Sequence, residues 1–273
     1  MRHRSLAALL PLLLGLFALL ALEPRPALAC GPDSACTVGA RTYRIALPEG
    51  DGPFGAIVYS HGYGATAEGV MNFAALREVA DRLGVALIAL DSASKGWLIR
   101  NAPRRGLDDD AIELAAFDAV LDDAAERFAI DSDRLLAAGF SGGGMMTWTL
   151  ACRRGDRFFA FVPVAGTFWA PLPRDCPNPP VDLLHIHGTA DTVVPLDGRA
   201  IADTRQGVVD EALVMFRAAA HHGAPMPIAV AAGLTCEQTT GDDETRIVEC
   251  LHEGGHMVDA GWIEAGWRMF AGE

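Results

Sequence analysis

No cluster of basic residues occurs anywhere in the chain, whose formal net charge is −13. Such a chain lacks the electrostatic footprint that grips a phosphate backbone, so nucleic acid is not an expected partner. There is no C-x-x-C pair, which removes the commonest zinc and thiol-redox signatures; no metal and no organic cofactor are expected. Internal repeats and low-complexity linkers are also missing, which sets aside a solenoid or a tethered second module. What remains is the composition of one enzyme-sized globular domain.

The first 29 residues read differently from the rest. Arg2 and Arg4 precede an apolar run from Ser5 to Leu22, and Ala27-Leu28-Ala29 offers a small-x-small cleavage pattern. That order is a secretory signal peptide, with residues 30–273 as the exported domain and no lasting membrane attachment after cleavage. All six cysteines, Cys30, Cys36, Cys152, Cys176, Cys236 and Cys250, lie beyond it. An even count behind an export signal implies disulfides formed in an oxidising compartment, periplasmic or extracellular. Spacing favours the sequence-local pairing, Cys30 with Cys36, Cys152 with Cys176 and Cys236 with Cys250.

Apolar runs recur at Phe54–Tyr59, Val85–Leu90, Leu135–Ala138, Phe158–Val164 and Val181–Ile186, the last interrupted by Asp182 and His185. Such runs suit strands buried on both faces of a parallel sheet. Arg41–Leu47 alternates instead and reads as a half-exposed strand, and Thr245–Leu251 as the last strand. Helical spacing covers Thr66–Leu83, Asp108–Phe128, Met145–Ala151, Val208–His222 and Asp259–Phe270. The alternation predicts an α/β fold with a mostly parallel central sheet covered on both faces. Chemistry is expected at the carboxyl ends of its strands.

Gly139-Phe140-Ser141-Gly142-Gly143 lies between a predicted strand and a predicted helix. A G-x-S-x-G in that context is a nucleophile elbow, whose tight turn demands small residues two before and two after the serine. The Gly142 N–H, at the mouth of the following helix, is placed to meet a developing oxyanion. A serine hydroxyl needs an imidazole to deprotonate it and a carboxylate to orient that imidazole. In the chain order nucleophile, acid, base, the candidates are Ser141, Asp191 in H-G-T-A-D-T-V-V-P, and His256 after Gly254-Gly255. Asp197 and Asp203 are alternative acids and His252 an alternative base, while His185 and His187 read as structural histidines. Tyr63, in the turn Ser60-His61-Gly62-Tyr63-Gly64 after an early strand, supplies the second oxyanion N–H. Trp97, Phe168 and Trp169 fall in loops at the same rim and are candidate substrate-binding aromatics; Trp148 reads as buried packing.

With those residues placed, the chain resembles the α/β-hydrolase superfamily. More narrowly it resembles the secreted polyhydroxybutyrate depolymerase/feruloyl esterase-like group, the LpqC-like esterases. The resemblance rests on Ser60–Gly64, G-F-S-G-G-G-M-M at Gly139–Met146, L-A-C at Leu150–Cys152, P-V-A-G-T at Pro163–Thr167, His185–Pro195 and Gly254–His256. It implies a single-domain α/β-hydrolase fold and serine hydrolysis of a small-molecule or polymeric carboxylic ester, of the hydroxybutyrate-oligomer, feruloyl or acetyl-xylan type. Many members of the group carry cysteine where this chain has Tyr63 and asparagine where it has Gly142, so the pocket is expected to differ in shape. A secreted peptidase and a catalytically silent binding domain are the alternatives the same fold allows.

Overall fold

The computed structural model describes residues 30–103, 110–174, 176, 177 and 180–272. The proposed signal peptide, Met1 to Ala29, therefore lies outside the described residues, as do the first two aspartates of the predicted Asp108–Phe128 helix. Ten strands form one sheet. In chain order the strands are β1 (Cys36–Val38), β2 (Arg41–Ala46), β3 (Phe54–Ser60), β4 (Ala86–Leu90), β5 (Ile130–Phe140), β6 (Ala160–Val164), β7 (Trp169–Ala170), β8 (Leu183–Gly188), β9 (Ala200–Ile201), β10 (Thr204–Gln206), β11 (Met226–Ile228), β12 (Thr235–Thr240) and β13 (Arg246–His252). The main sheet runs β1-β2-β4-β3-β5-β6-β8-β13-β12-β11, with β7, β10 and β9 set apart as a small three-stranded sheet. From β4 to β13 every pairing is parallel, and antiparallel strands close both ends.

The strand sequences explain the layering. Within β3 and β5, Ala56, Val58, Leu135 and Ala137 join one core, whereas Ile57, Tyr59, Leu136 and Ala138 join the other. A period of two thus sends alternate side chains to opposite faces. The first face is covered by α3 (Ala111–Phe128), α4 (Gly142–Arg153) and α5 (Val209–Ala219), through residues such as Phe117, Trp148 and Phe216. Covering the second are α1 (Ala67–Met71), α2 (Ala74–Leu83) and α6 (Ala260–Ala271), through Val70, Leu76, Ile263 and Trp267. This is the predicted α/β architecture, with three corrections. The single helix expected over Thr66–Leu83 is two, interrupted at Asn72-Phe73. Strand β5 begins at Ile130 rather than Leu135. The antiparallel pair β11–β12 extends an edge where no strand was expected.

All three disulfides follow the sequence-local pairing: Cys30–Cys36, Cys152–Cys176 and Cys236–Cys250. The last joins directly opposed residues of β12 and β13. It closes a separation of 14 residues, and a loop of that size restricts the unfolded chain by about 3 kcal/mol. Replacing Cys236 and Cys250 together by alanine is expected to lower the unfolding free energy by about 2–4 kcal/mol in urea titration. An unchanged midpoint would show that the bridge adds nothing to the β12–β13 ladder.

Candidate active site

The elbow is built as its spacing requires. Ser141 sits at φ 59°, ψ −119°, a left-handed conformation that a non-glycine residue adopts only under local constraint. Its N–H donates to Val164 O at 2.9 Å, at the end of β6. A Cβ on Gly139 would lie 2.4 Å from Gly143 O, and one on Gly143 only 1.8 Å from Ser60 O. No side chain fits at either position, so β3, β5 and α4 can close together only through glycine. The turn after β3 passes directly over the elbow: a Cβ on Gly62 would meet the Ser141 Cβ at 3.8 Å, and one on Gly142 would meet the Tyr63 nitrogen at 3.3 Å. The Tyr63 and Gly142 backbones thus lie side by side next to Ser141.

His61 fixes this turn. Its Nδ1 donates to Gly62 O at 2.8 Å and its Nε2 accepts from Ser92 N–H at 3.2 Å, an assignment that follows from the acceptor on one side and the donor on the other. Trp97 packs on the His61 ring at 4.8 Å, tilted by 36°, and donates its indole N–H to His61 O at 2.8 Å. Burial pushes the His61 imidazole below its ordinary pKa, so it remains a neutral brace.

Asp191 and His256 meet across the sheet. The Asp191 side chain is fully buried; Oδ1 accepts from Val193 N–H at 2.8 Å and Val194 N–H at 2.9 Å, and Oδ2 accepts from His256 Nδ1 at 2.7 Å. That bond leaves His256 Nε2 as the basic nitrogen. The His256 ring packs at 4.6 Å on Phe140, the neighbour of Ser141 in the chain. Behind Asp191, His187 Nε2 donates to Val194 O at 2.7 Å and lies 3.5 Å from Asp191 Oδ2, while His185 Nε2 donates to His187 Nδ1 at 3.0 Å. Desolvation holds His187 below its ordinary pKa and His185 well below it, as structural histidines. The alternative residues stand elsewhere: Asp197 and Asp203 are exposed, and His252 turns to Trp262 at 4.9 Å while its Nδ1 accepts from Gly254 N–H. His252 and His256 stand in an H-E-G-G-H stretch, a spacing that on a helix places two imidazoles on one face for zinc. Here His252 ends β13 and residues 253–256 form a loop, and the two rings serve different partners.

Beside Ser141 opens a cavity of about 380 Å³ lined by Tyr63, Trp97, Ile99, Met145, Trp169 and Val194, among others. Trp97 and Trp169 reach it while otherwise buried. Phe168 does not line it, contrary to expectation. It is 5% exposed and packs between Trp148 at 5.6 Å and Phe216 at 6.4 Å, because adjacent residues entering β7 point to opposite sides. The opposite wall comes from Val193, Arg199, Ile201 and Gln206. No element is predicted for residues 196–207 from the sequence, and the pairing of Arg205 and Gln206 with Ala170 and Trp169 brings them to the site.

A strand–turn–helix serine, followed in the chain by an acid and a histidine on neighbouring parallel strand ends, is the organisation of the α/β-hydrolase fold; this chain has that fold. The family model of the prolyl oligopeptidase family matches residues 108–170, the elbow region. NocK of Nocardia uniformis subsp. tsuyamanensis, a protein named as an esterase, is 34% identical over 169 residues, which are 59% of this chain and 48% of NocK. The chain thus spans about half the length of that relative. Feruloyl esterase C of Emericella nidulans is 28% identical over 205 residues, covering 70% of this chain and 72% of its own. Among solved structures, an acetyl xylan esterase from Aspergillus awamori superposes with a TM-score of 0.60 at 14% identity, covering 85% of this chain and 94% of that one.

The buried histidines make stability depend on pH. His61, His185 and His187 have folded pKa values below the ordinary 6.5 of the unfolded chain. Below about pH 6.5 the unfolded state binds more protons, so their contribution is full above that pH and is lost as the pH falls. Urea unfolding is expected to give a free energy that declines from pH 7 to pH 5, with a shallower decline in His185→Gln. A flat profile over that range would contradict the assignment of these rings as neutral.

Proposed function

We propose that the chain is an exported serine hydrolase of carboxylic esters that works through an acyl-enzyme. Ser141 Oγ attacks the ester carbonyl as His256 Nε2 takes its proton, and the same nitrogen then protonates the departing alkoxide. Water, deprotonated by His256, releases the acid from Ser141. Asp191 holds the imidazole in orientation and stabilises its charged form, and the Tyr63 and Gly142 N–H groups receive the oxyanion. No step calls on a metal or organic cofactor. The observation that carries this reading is the buried Asp191 carboxylate, one oxygen on two backbone amides and the other on His256 Nδ1. It lies on the rim where Ser141 adopts a positive φ. Export is supported by the three disulfides; among the described residues no helix is long and apolar enough to cross a membrane.

The substrate reading follows the cavity. Its Trp97, Trp169, Ile99 and Met145 walls suit a flat, largely apolar acyl group, and the names of two similar proteins, feruloyl esterase C and acetyl xylan esterase, favour plant-cell-wall acyl esters. A polyhydroxybutyrate depolymerase-like action on hydroxyalkanoate oligomers is the second reading. It is favoured by the apolar rim, where Tyr63 is 73% exposed and Val193 and Met257 are also open, a surface on which a polyester segment can lie.

Short-chain 4-nitrophenyl esters, methyl ferulate, acetylated xylan, hydroxybutyrate oligomers and a peptidyl anilide form the discriminating panel. Ester turnover is expected to fall about 10³–10⁴-fold or more in Ser141→Ala, His256→Ala and Asp191→Asn. A fluorophosphonate probe should label the wild type and not Ser141→Ala. Equal rates in wild type and Ser141→Ala would remove the mechanism, and turnover confined to the anilide would move the chain to the peptidases.

A further inference from the structure

Arg199 is the one side chain with a formal charge among the described residues that line the cavity beside Ser141. Among the described residues, Arg199 and Arg205 bond only to backbone oxygens, unlike many arginines of this acidic chain. Arg41, Arg127, Arg154, Arg157, Arg217 and Arg246 each lie within ion-pair distance of a carboxylate. Arg199 donates only its Nε–H, to the backbone oxygen of Val193 at 2.7 Å. That bond fixes the plane of the guanidinium and leaves its Nη groups, the bidentate edge suited to a carboxylate, without a partner among the described residues. The backbone beneath is equally constrained: Gly198 has φ +64°, and a Cβ there would fall 2.1 Å from Gln206 O. Gln206 Nε2 donates to the same Val193 oxygen at 3.2 Å. A cation oriented by this bond thus lines a largely apolar cavity while itself open to solvent, where screening moderates but does not remove its pull on an anion.

We propose that Arg199 selects esters that carry a carboxylate beyond the scissile bond. The inference rests on the esterase reading above and names a substrate class for it. The anion can lie on the acyl side, as in a dicarboxylic half-ester, or on the alcohol side, as in an ester of a hydroxy acid. Both present the same group to the guanidinium.

Two matched pairs separate these sources: mono-4-nitrophenyl glutarate against its methyl ester, and 4-acetoxybenzoate against its methyl ester. In the wild type the charged member of one pair is expected to have the lower KM. Arg199→Gln should raise that KM about five- to tenfold. The neutral member should lose no more than about threefold in kcat/KM, the effect of loosening the Val193 carbonyl. Arg199→Lys should retain part of the preference, and 0.5 M salt should erode it in the wild type and in Arg199→Lys but leave Arg199→Gln unchanged. The pair that responds identifies the side carrying the anion. Equal loss on charged and neutral members would make Arg199 a positioning residue and overturn the proposal, as would a wild type indifferent to charge in both pairs. A wild type that hydrolyses none of the four esters and takes no fluorophosphonate label would instead defeat the esterase reading itself, and this inference with it.

Discussion

The hydrogen bond from His256 Nδ1 to Asp191, 2.7 Å long and fully buried on the carboxylate side, is the interaction around which the sheet rim is arranged. A buried carboxylate is tolerated only when donors replace the water it has lost. Here Val193 and Val194 amides answer one oxygen and His256 the other. The two loops must therefore converge, and the sheet order makes them do so. Strands β8 and β13 are parallel neighbours, with His252 opposite Gly188, so the segments that follow them leave the sheet side by side. The approach is close enough that a Cβ on Gly188 would fall 2.3 Å from Gly254 O, and Ala190 N–H bonds that same oxygen at 3.1 Å. Glycine at 188 is thus as much a condition for the Asp191–His256 pair as either side chain.

The same economy of space governs the serine. Three segments, the ends of β3 and β5 and the first turn of α4, occupy one point, and Gly139 and Gly143 are what let them. Around that point the sheet is rigid because both of its faces are packed, with Ile57 and Leu136 on one side and Val58 and Leu135 on the other. Strain at Ser141 is sustained because the surrounding structure over-determines it: its N–H is held by β6, and its C=O accepts from Met145 N–H to begin the helix.

How much of this could be read in advance depends on whether the signal was local. Parallel strands buried on both faces announce themselves as apolar runs, and β3, β4, β6 and β8 lie close to where those runs fall. The elbow was legible because its glycines answer a steric demand within five residues. Thr235–Thr240, T-C-E-Q-T-T, carries no apolar alternation, because, next to the edge strand β11, it buries little beyond Cys236 and Thr239. Its neighbour was nonetheless hinted at by the Cys236–Cys250 pairing. The helix break at Asn72-Phe73 was hidden because the apolar spacing stays in phase across it. Gly188, Arg199 and Gln206 were beyond reach for another reason: each matters through a contact with a segment remote in three dimensions or irregular in sequence, and no residue pattern encodes that.

The cavity wall and the acid loop are mechanically one piece. On one side Glu113, buried and 3.0 Å from Arg41, accepts from Ala93 and Leu98 N–H and so pins the loop that carries Trp97. Trp97 in turn holds His61 and the turn bearing Tyr63. On the other side Arg199 and Gln206 both donate to the Val193 carbonyl, while the Val193 N–H donates to Asp191. Each wall is thus a single bond or two from a group assigned to the chemistry. Substitutions that reshape the pocket therefore act on the orientation of Asp191 or of the Tyr63 turn as well as on fit, so under the proposed function substrate preference and turnover would be coupled through the Val193 peptide and the His61 turn.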